Sequence, residues 1–263
     1  MAASILVREA LRRVSTLLLD TAPQFKRWGQ VELIDWLNDA QAAIAKYLPQ
    51  ATSRIDAIKL KTGSLQSIDA VASADIKQFD GSSPGVTLNG NLLLGVLCNM
   101  GSDGLTEGRA IRGPVDMRAQ DGVAPDWRLQ AYGGSLIKAW GHDPESPRYF
   151  QVDPPVKASA TVWARIRWCI QPIKVPNVGT EDYTSAGSNA TTLSVPDEYI
   201  DEVVHYVVAR AHMKECEWAD GGKAAFFAAL FTSAINGKAE VLTGHNPNLK
   251  RLPFAPAPPG AAA

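Results

Sequence analysis

Histidines, cysteines and paired carboxylates are the residues of this 263-residue chain whose chemistry can build a reactive site. His205 and His212 are seven positions apart, so one helix face would carry both, with Glu202 or Glu215 as the nearest further ligands. Two helical turns separate such residues by about 10 Å, too far for them to hold one ion alone. His142 and His245 stand by themselves. Cys98, Cys169 and Cys216 are scattered and odd in number, with no zinc-type or thiol-exchange spacing, and read as reduced thiols of a cytosol-made protein. Asp35 and Asp39, and Glu198, Asp201 and Glu202, suit helix surfaces and helix N-termini better than an acid–base pair. The sequence contains neither a Gly-rich phosphate loop nor a G-x-S-x-G elbow. Arg165 and Arg167 share one strand face and could meet phosphate, although a solvated face is the simpler reading.

Aromatic residues offer binding rather than catalysis. Trp36, Trp163, Trp168 and Trp218 fall in core-like patterns, whereas Trp28 and Trp127 do not and are candidate interface anchors. Trp127, Tyr132 or Trp140 would serve a carbohydrate-binding module. A small hydrolase using the glycine-rich stretch 80–145 lacks a nucleophile–base arrangement. The expectation is a non-enzyme that needs no metal and no cofactor.

The elements around these residues divide the chain. Its net charge of −1, 46% hydrophobic content and 20% charged content are those of an ordinary globular protein, with no bulk attraction to nucleic acid or to a membrane. Arg8, Glu9, Arg12 and Arg13 interrupt any signal-peptide core, and no apolar run approaches the roughly 20 residues of a membrane span. Apolar spacing predicts helices over residues 4–20, capped by Ser4, and over 30–48. The clearest helix runs from Val195 to about Trp218, with Ile200, Val203, Val204, Val207, Val208 and Ala211 on one face and Gly221-Gly222 as its stop. A last helix spans 223–236, ended by Gly237.

Between the helices the chain reads as β. Strands are expected over 54–61, over 148–152 with Asp153-Pro154-Pro155 as a turn, and over 159–171, with a second short strand or a turn at 65–68. In the strand over 159–171, Val162, Ala164, Ile166, Trp168 and Ile170 form the buried face. From about 71 to 145 periodicity is poor. Asp80-Gly81, Asn89-Gly90, Asp103-Gly104, Asp121-Gly122 and Gly133-Gly134 signal turns, Asn89-Gly90 being the best hairpin signal, and a helix over part of 91–99 is the alternative there. Residues 177–190 read as an exposed loop, and the proline-rich end as an extended arm. The fold class is therefore α+β: a helical bundle from the N- and C-terminal helices (1–60 and 190–242), a mostly β insertion (61–189) and a C-terminal arm (243–263). Leu249, Leu252, Phe254 and Pro256 are the arm's candidate partner-binding residues.

Several segments, in order, resemble a tailed-bacteriophage head-to-tail adaptor family. They are Leu11 to Asp20, Arg27-Trp28, the Trp36-Leu-Asn-Asp-Ala-Gln41 helix ending at Pro49, and Lys61-Thr-Gly-Ser-Leu-Gln66. Arg148-Tyr-Phe-Gln-Val-Asp-Pro-Pro155, Val195-Pro-Asp-Glu-Tyr199 and Val207 to Lys214 follow, while 71–145 has no counterpart. The resemblance implies a structural virion protein of short-tailed phages, made in the bacterial host cytoplasm. It would form a ring of twelve copies beneath the portal protein and above the tail nozzle or tube protein. Genome DNA would pass through its channel without sequence-specific binding, and no membrane is involved. A tail-tube or nozzle protein is the alternative of the same class.

Overall fold

The computed structural model describes residues 5–20, 27–128, 136–142, 146–176 and 191–244. Their helices are α1 (Val7–Leu18), α2 (Gln30–Tyr47), α3 (Met117–Val123), α4 (Ile200–Met213) and α5 (Gly221–Gly244). Their strands are β1 (Ser53–Lys59), β2 (Gly63–Ser67), β3 (Ile76–Lys77), β4 (Gly90–Met100), β5 (Glu107–Ala110), β6 (Ala139–His142), β7 (Tyr149–Val156) and β8 (Trp163–Ile170). The fold is α+β, with antiparallel sheets and helices from both the N- and C-terminal parts of the chain. It forms two compact units, one of Met1–Val7, Gln41–Val178 and Ala190–Asp197, the other of Arg8–Ala40, Gly179–Asn189 and Glu198–Ala263.

The first unit is a β-sandwich. A five-stranded sheet in the order β3-β1-β8-β4-β5 shares one apolar core with a three-stranded sheet in the order β2-β7-β6. The alternation of β8 decides which residues enter it: Ala164, Ile166 and Trp168 are fully buried on the inner face. The opposite face is only partly wet, because Trp163 and Cys169 are buried there beside the arginines. Asp56 of β1 also points inward, 2% exposed. It accepts a hydrogen bond from the Trp168 indole and pairs with Arg54, so the buried charge is neutralised. Asn99 is fully buried and satisfied: its amide donates to the carbonyls of Arg109 and Ile137 and its oxygen accepts from the Ile137 N–H.

Several local expectations are overturned in this unit. Asn89-Gly90 is not a hairpin turn. Leu88 bridges back to Val71, and Gly90 opens β4. A Cβ on Gly90 would lie 2.6 Å from Ile68, so the glycine answers to close packing. The stretch 91–99 is strand throughout. Its helix-like pattern comes from register shifts at Gly90/Leu92, Leu93/Gly95 and Val96/Cys98, which bury Leu93, Val96 and Asn99 at every third residue. Asp121-Gly122 lies within α3, and β7 runs on through Asp153-Pro154-Pro155, whose first peptide bond before proline is cis. The turns at Gly81 and Gly104 are present, both at positive φ.

The second unit is helical. It contains α1, the first part of α2, α4 and α5. Val203, Val207, Val208 and Ala211 form the buried face of α4. Trp28 donates its indole N–H to the Ala211 carbonyl at 3.1 Å, and Glu32 pairs with Lys214 at 2.7 Å, so the N-terminal helices pack on the C-terminal ones. Tyr206 stacks edge-on with Phe231, and Glu202, 5% exposed, pairs with Lys238 of α5 at 2.8 Å. The predicted helix from Val195 is shorter at both ends: a 3-10 turn occupies Asp197–Tyr199, and Lys214 is extended. Gly221-Gly222 do not stop α4; they begin α5, capped by Asp220, whose side chain accepts from the Lys223 N–H. Gly237 fails to end α5, because one interior glycine costs only about 1 kcal/mol. Ser4, Tyr132, Gly133-Gly134, the loop 177–190, His245 and the rest of the arm to 263 lie outside the described residues, while Thr243 and Gly244, expected in the arm, belong to α5.

Candidate interaction surfaces

The residues that carry the sequence resemblance are scaffold. Asp20, just past α1, accepts hydrogen bonds on one carboxylate oxygen from the backbone N–H groups of Arg27 and Trp28, at 2.9 and 3.1 Å. That fixes Trp28 in its slot, where it is 1% exposed and meets His212 edge-on. Gln66, 2% exposed, staples the turn between β1 and β2. Its oxygen accepts from the Lys61 N–H, and its amide donates to the Lys61 and Gly63 carbonyls. Phe150, Val152 and both prolines of β7 are buried. Such positions tolerate few replacements because each satisfies a backbone group or fills the core.

The two tryptophan anchors expected from sequence are therefore internal. Trp127 is 3% exposed, donates to Asp121 at 2.7 Å and is covered by the Arg128 guanidinium 4.8 Å from its ring centre. That indole N–H and Arg128 hold the Asp121 carboxyl below the usual range. Trp140 is 4% exposed, so neither ring offers an open face for sugar stacking. Leu249, Leu252, Phe254 and Pro256 lie outside the described residues.

Among the described residues, no three His, Cys, Asp or Glu side chains gather as metal ligands would. His205 and His212 point their Nδ1 atoms into buried, unpartnered surroundings, and His205 packs on Phe227. Burial pushes the Cys169 thiol up to about 11, which makes it an inert core residue rather than a nucleophile.

Two of the open surfaces among the described residues of the sandwich bear on the candidate residues. One is a groove of about 910 Å³ between α3 and β7, lined by Leu65, Met117, Arg118, Arg128, Tyr149 and Gln151. Arg128 bridges it, bonding to both Asp121 and Gln151. The other is the outer face of the five-stranded sheet, a depression of about 360 Å³ at Ile55, Lys77, Phe79, Cys98 and Arg165. Sequence reasoning found Arg165 and Arg167 but missed Ile55, Lys77 and Phe79, which no periodicity links to them. Strand register does: Ile55 lies opposite Arg167, and Ala57 lies opposite both Arg165 and Lys77.

Both surfaces lie open on the sandwich. The SU10 adaptor protein family model matches residues 6–251. The chain belongs to the SU10 adaptor protein family. Its membership makes it a phage adaptor protein, a structural component of the virion that interacts with other virion proteins. No curated protein matches this adaptor. The family match runs through 71–145, the stretch without a recognisable counterpart in the sequence. Among its described residues, no helix of the adaptor is long and apolar enough to cross a membrane.

Proposed function

We propose that this adaptor assembles into a ring of twelve copies beneath the portal of a short-tailed phage. The ring joins the portal to the tail nozzle or tube protein, at the head–tail interface of the virion, and genome DNA passes through its channel. The observation that carries the reading is the family match over residues 6–251, nearly the whole chain. The open surfaces of the sandwich suit docking rather than turnover, which supports a mechanical role.

A closed ring needs heterologous contacts, two different patches on each subunit. In this reading the helices contributed by 1–60 and 190–242 pack side by side around the ring, and the insertion 61–189 supplies contact surface. The arm from 243 to 263 lies along a neighbour through Leu249, Leu252, Phe254 and Pro256. An arm of that composition binds by covering area, and the cost of ordering it is offset only on assembly. A channel wall close to neutral or acidic keeps the passing phosphates from sticking, consistent with a net charge of −1.

The test is to mix the purified adaptor with portal rings and image the product by electron microscopy. A ring on the tail-side face of the portal is expected. An adaptor that stays monomeric beside portal, or that binds only the tail nozzle or tube protein, overturns the reading in favour of a tail component.

A further inference from the structure

The outer face of the five-stranded sheet is basic and apolar at once. Lys59, Arg165 and Arg167 lie on it by strand alternation and register, and Lys77 joins them from the edge strand. The only acid placed among them by register within the described sheet is Glu107, which pairs with Arg165. Lys59, Lys77 and Arg167 make no ion pair among the described residues. Gly95 lies opposite Arg167 and adds no side chain there, and Arg167 is exposed. Phe79 is 89% exposed, with Arg165 5.9 Å from its ring centre, and Ile55 is 44% exposed beside Arg167. A large exposed ring, a branched apolar side chain and unpaired cations on one sheet face are the composition of an interface core with a charged rim.

The chain also carries the complementary surface. On α2, Asp35 and Asp39 are exposed one helical turn apart, with Val31, 49% exposed, one turn before them. Asp39 makes no ion pair among the described residues. The stripe therefore offers the Asp39 carboxylate and an apolar neighbour to a partner.

We infer that the basic, Phe79-bearing sheet face of one copy docks on the Asp35–Asp39 stripe of the next copy. The two patches differ and are complementary, as a head-to-tail ring contact requires. The inference rests on the ring reading above and deepens it by naming the surfaces. It also keeps the cationic face off a channel that passes DNA, because cations facing the duplex would bind its phosphates.

The experiment compares the full-length chain with Arg167→Glu, Asp39→Lys and the combined Arg167→Glu/Asp39→Lys chain. Association is measured by analytical ultracentrifugation, alone and with portal rings, after circular dichroism has confirmed unchanged folding. Each single reversal is expected to weaken association about tenfold, the scale of a few exposed charge pairs lost or reversed, and the combined chain to regain most of it. Raising salt should weaken the unmodified chain and flatten the differences. Phe79→Ser, at a side chain the fold does not need, should weaken association without restoration by either charge variant.

If the unmodified chain assembles and the single variants assemble equally well, the inference is overturned and the ring reading stands. The same holds if the combined chain is no better than the singles, or if Phe79→Ser has no effect. If Arg167→Glu loses only affinity for duplex DNA, the face serves nucleic acid and the inference fails. If the unmodified chain does not assemble even on portal rings, the ring reading itself fails.

Discussion

The indole N–H of Trp168 donates to the Asp56 carboxylate across 2.8 Å, joining two neighbouring strands inside the sandwich where Asp56 is 2% and Trp168 0% exposed. Arg54, two residues along the same strand, supplies the opposite charge, with Nη2 2.8 Å from the second carboxylate oxygen. Replacing Asp56 by Ala strands the indole N–H and leaves a half-buried guanidinium without its partner. The expected loss is about 2–3 kcal/mol, with Asp56→Asn costing less because it keeps an acceptor. Urea unfolding followed by tryptophan fluorescence checks both.

Gln66 satisfies three backbone groups at the β1–β2 turn. Gln66→Ala should destabilise the chain by about 1–3 kcal/mol, the penalty for polar groups left unpaired away from water. Amide exchange should show the Lys61 N–H losing protection before the core strands do.

Gly90 touches Ile68 so closely that an added methyl has no room. Gly90→Ala is expected to cost about 1–3 kcal/mol through overpacking. The same change in an Ile68→Ala background should cost less, because the Cδ1 and Cγ1 contacts at 2.6 and 2.7 Å are gone and only the Cβ contact at 2.9 Å stays. A double-mutant cycle that shows the two changes to be additive would contradict this packing account.

Glu202 is buried on α4 with Lys238 of α5 as its ion-pair partner. Lys238→Met removes the partner and leaves the carboxylate sealed, for an expected loss of about 1–3 kcal/mol, since Lys238 itself is partly in water. Glu202→Met together with Lys238→Met should recover much of that loss, because a buried pair and an apolar pair are close in energy. Thermal unfolding of the three variants measures the order.

Tyr199 titrates late. Burial, and then the nearby Glu198 carboxylate, push its phenol from the ordinary 10.0 up to about 12. The folded value is raised, so its contribution to stability is fully present below pH 10 and is lost as pH rises through about 12. Tyrosinate absorbance should show one phenol ionising late in the folded chain and normally in urea, and Tyr199→Phe should remove that late step.

Local rules made much of the fold legible. Helices α1 and α2, the inner face of β8 and the turns at Gly81 and Gly104 follow from spacing and from residue type, because a side chain at a given helical or strand period has only one face to occupy. The core helix α4 was legible for the same reason, but its ends were not. Gly221 and Gly222 carry no mark that tells the stop of one helix from the start of the next, and the Asp220 cap decides it. The candidate anchors Trp28 and Trp127 show the same limit: a tryptophan outside any period can be an exposed anchor or a buried strut, and only its neighbours decide.

The sequence by itself determined the α+β class, the grouping of N- and C-terminal helices and, through dispersed scaffold residues such as Asp20 and Gln66, the adaptor family. Tertiary structure alone decided that 91–99 is a strand. Three register shifts against β8 give it a period of three, which a single chain cannot distinguish from a helix before its partner strand is in place. It alone also gathered Ile55, Lys77, Phe79 and Arg167 on one face, because strand pairing brings together residues that are far apart in the chain.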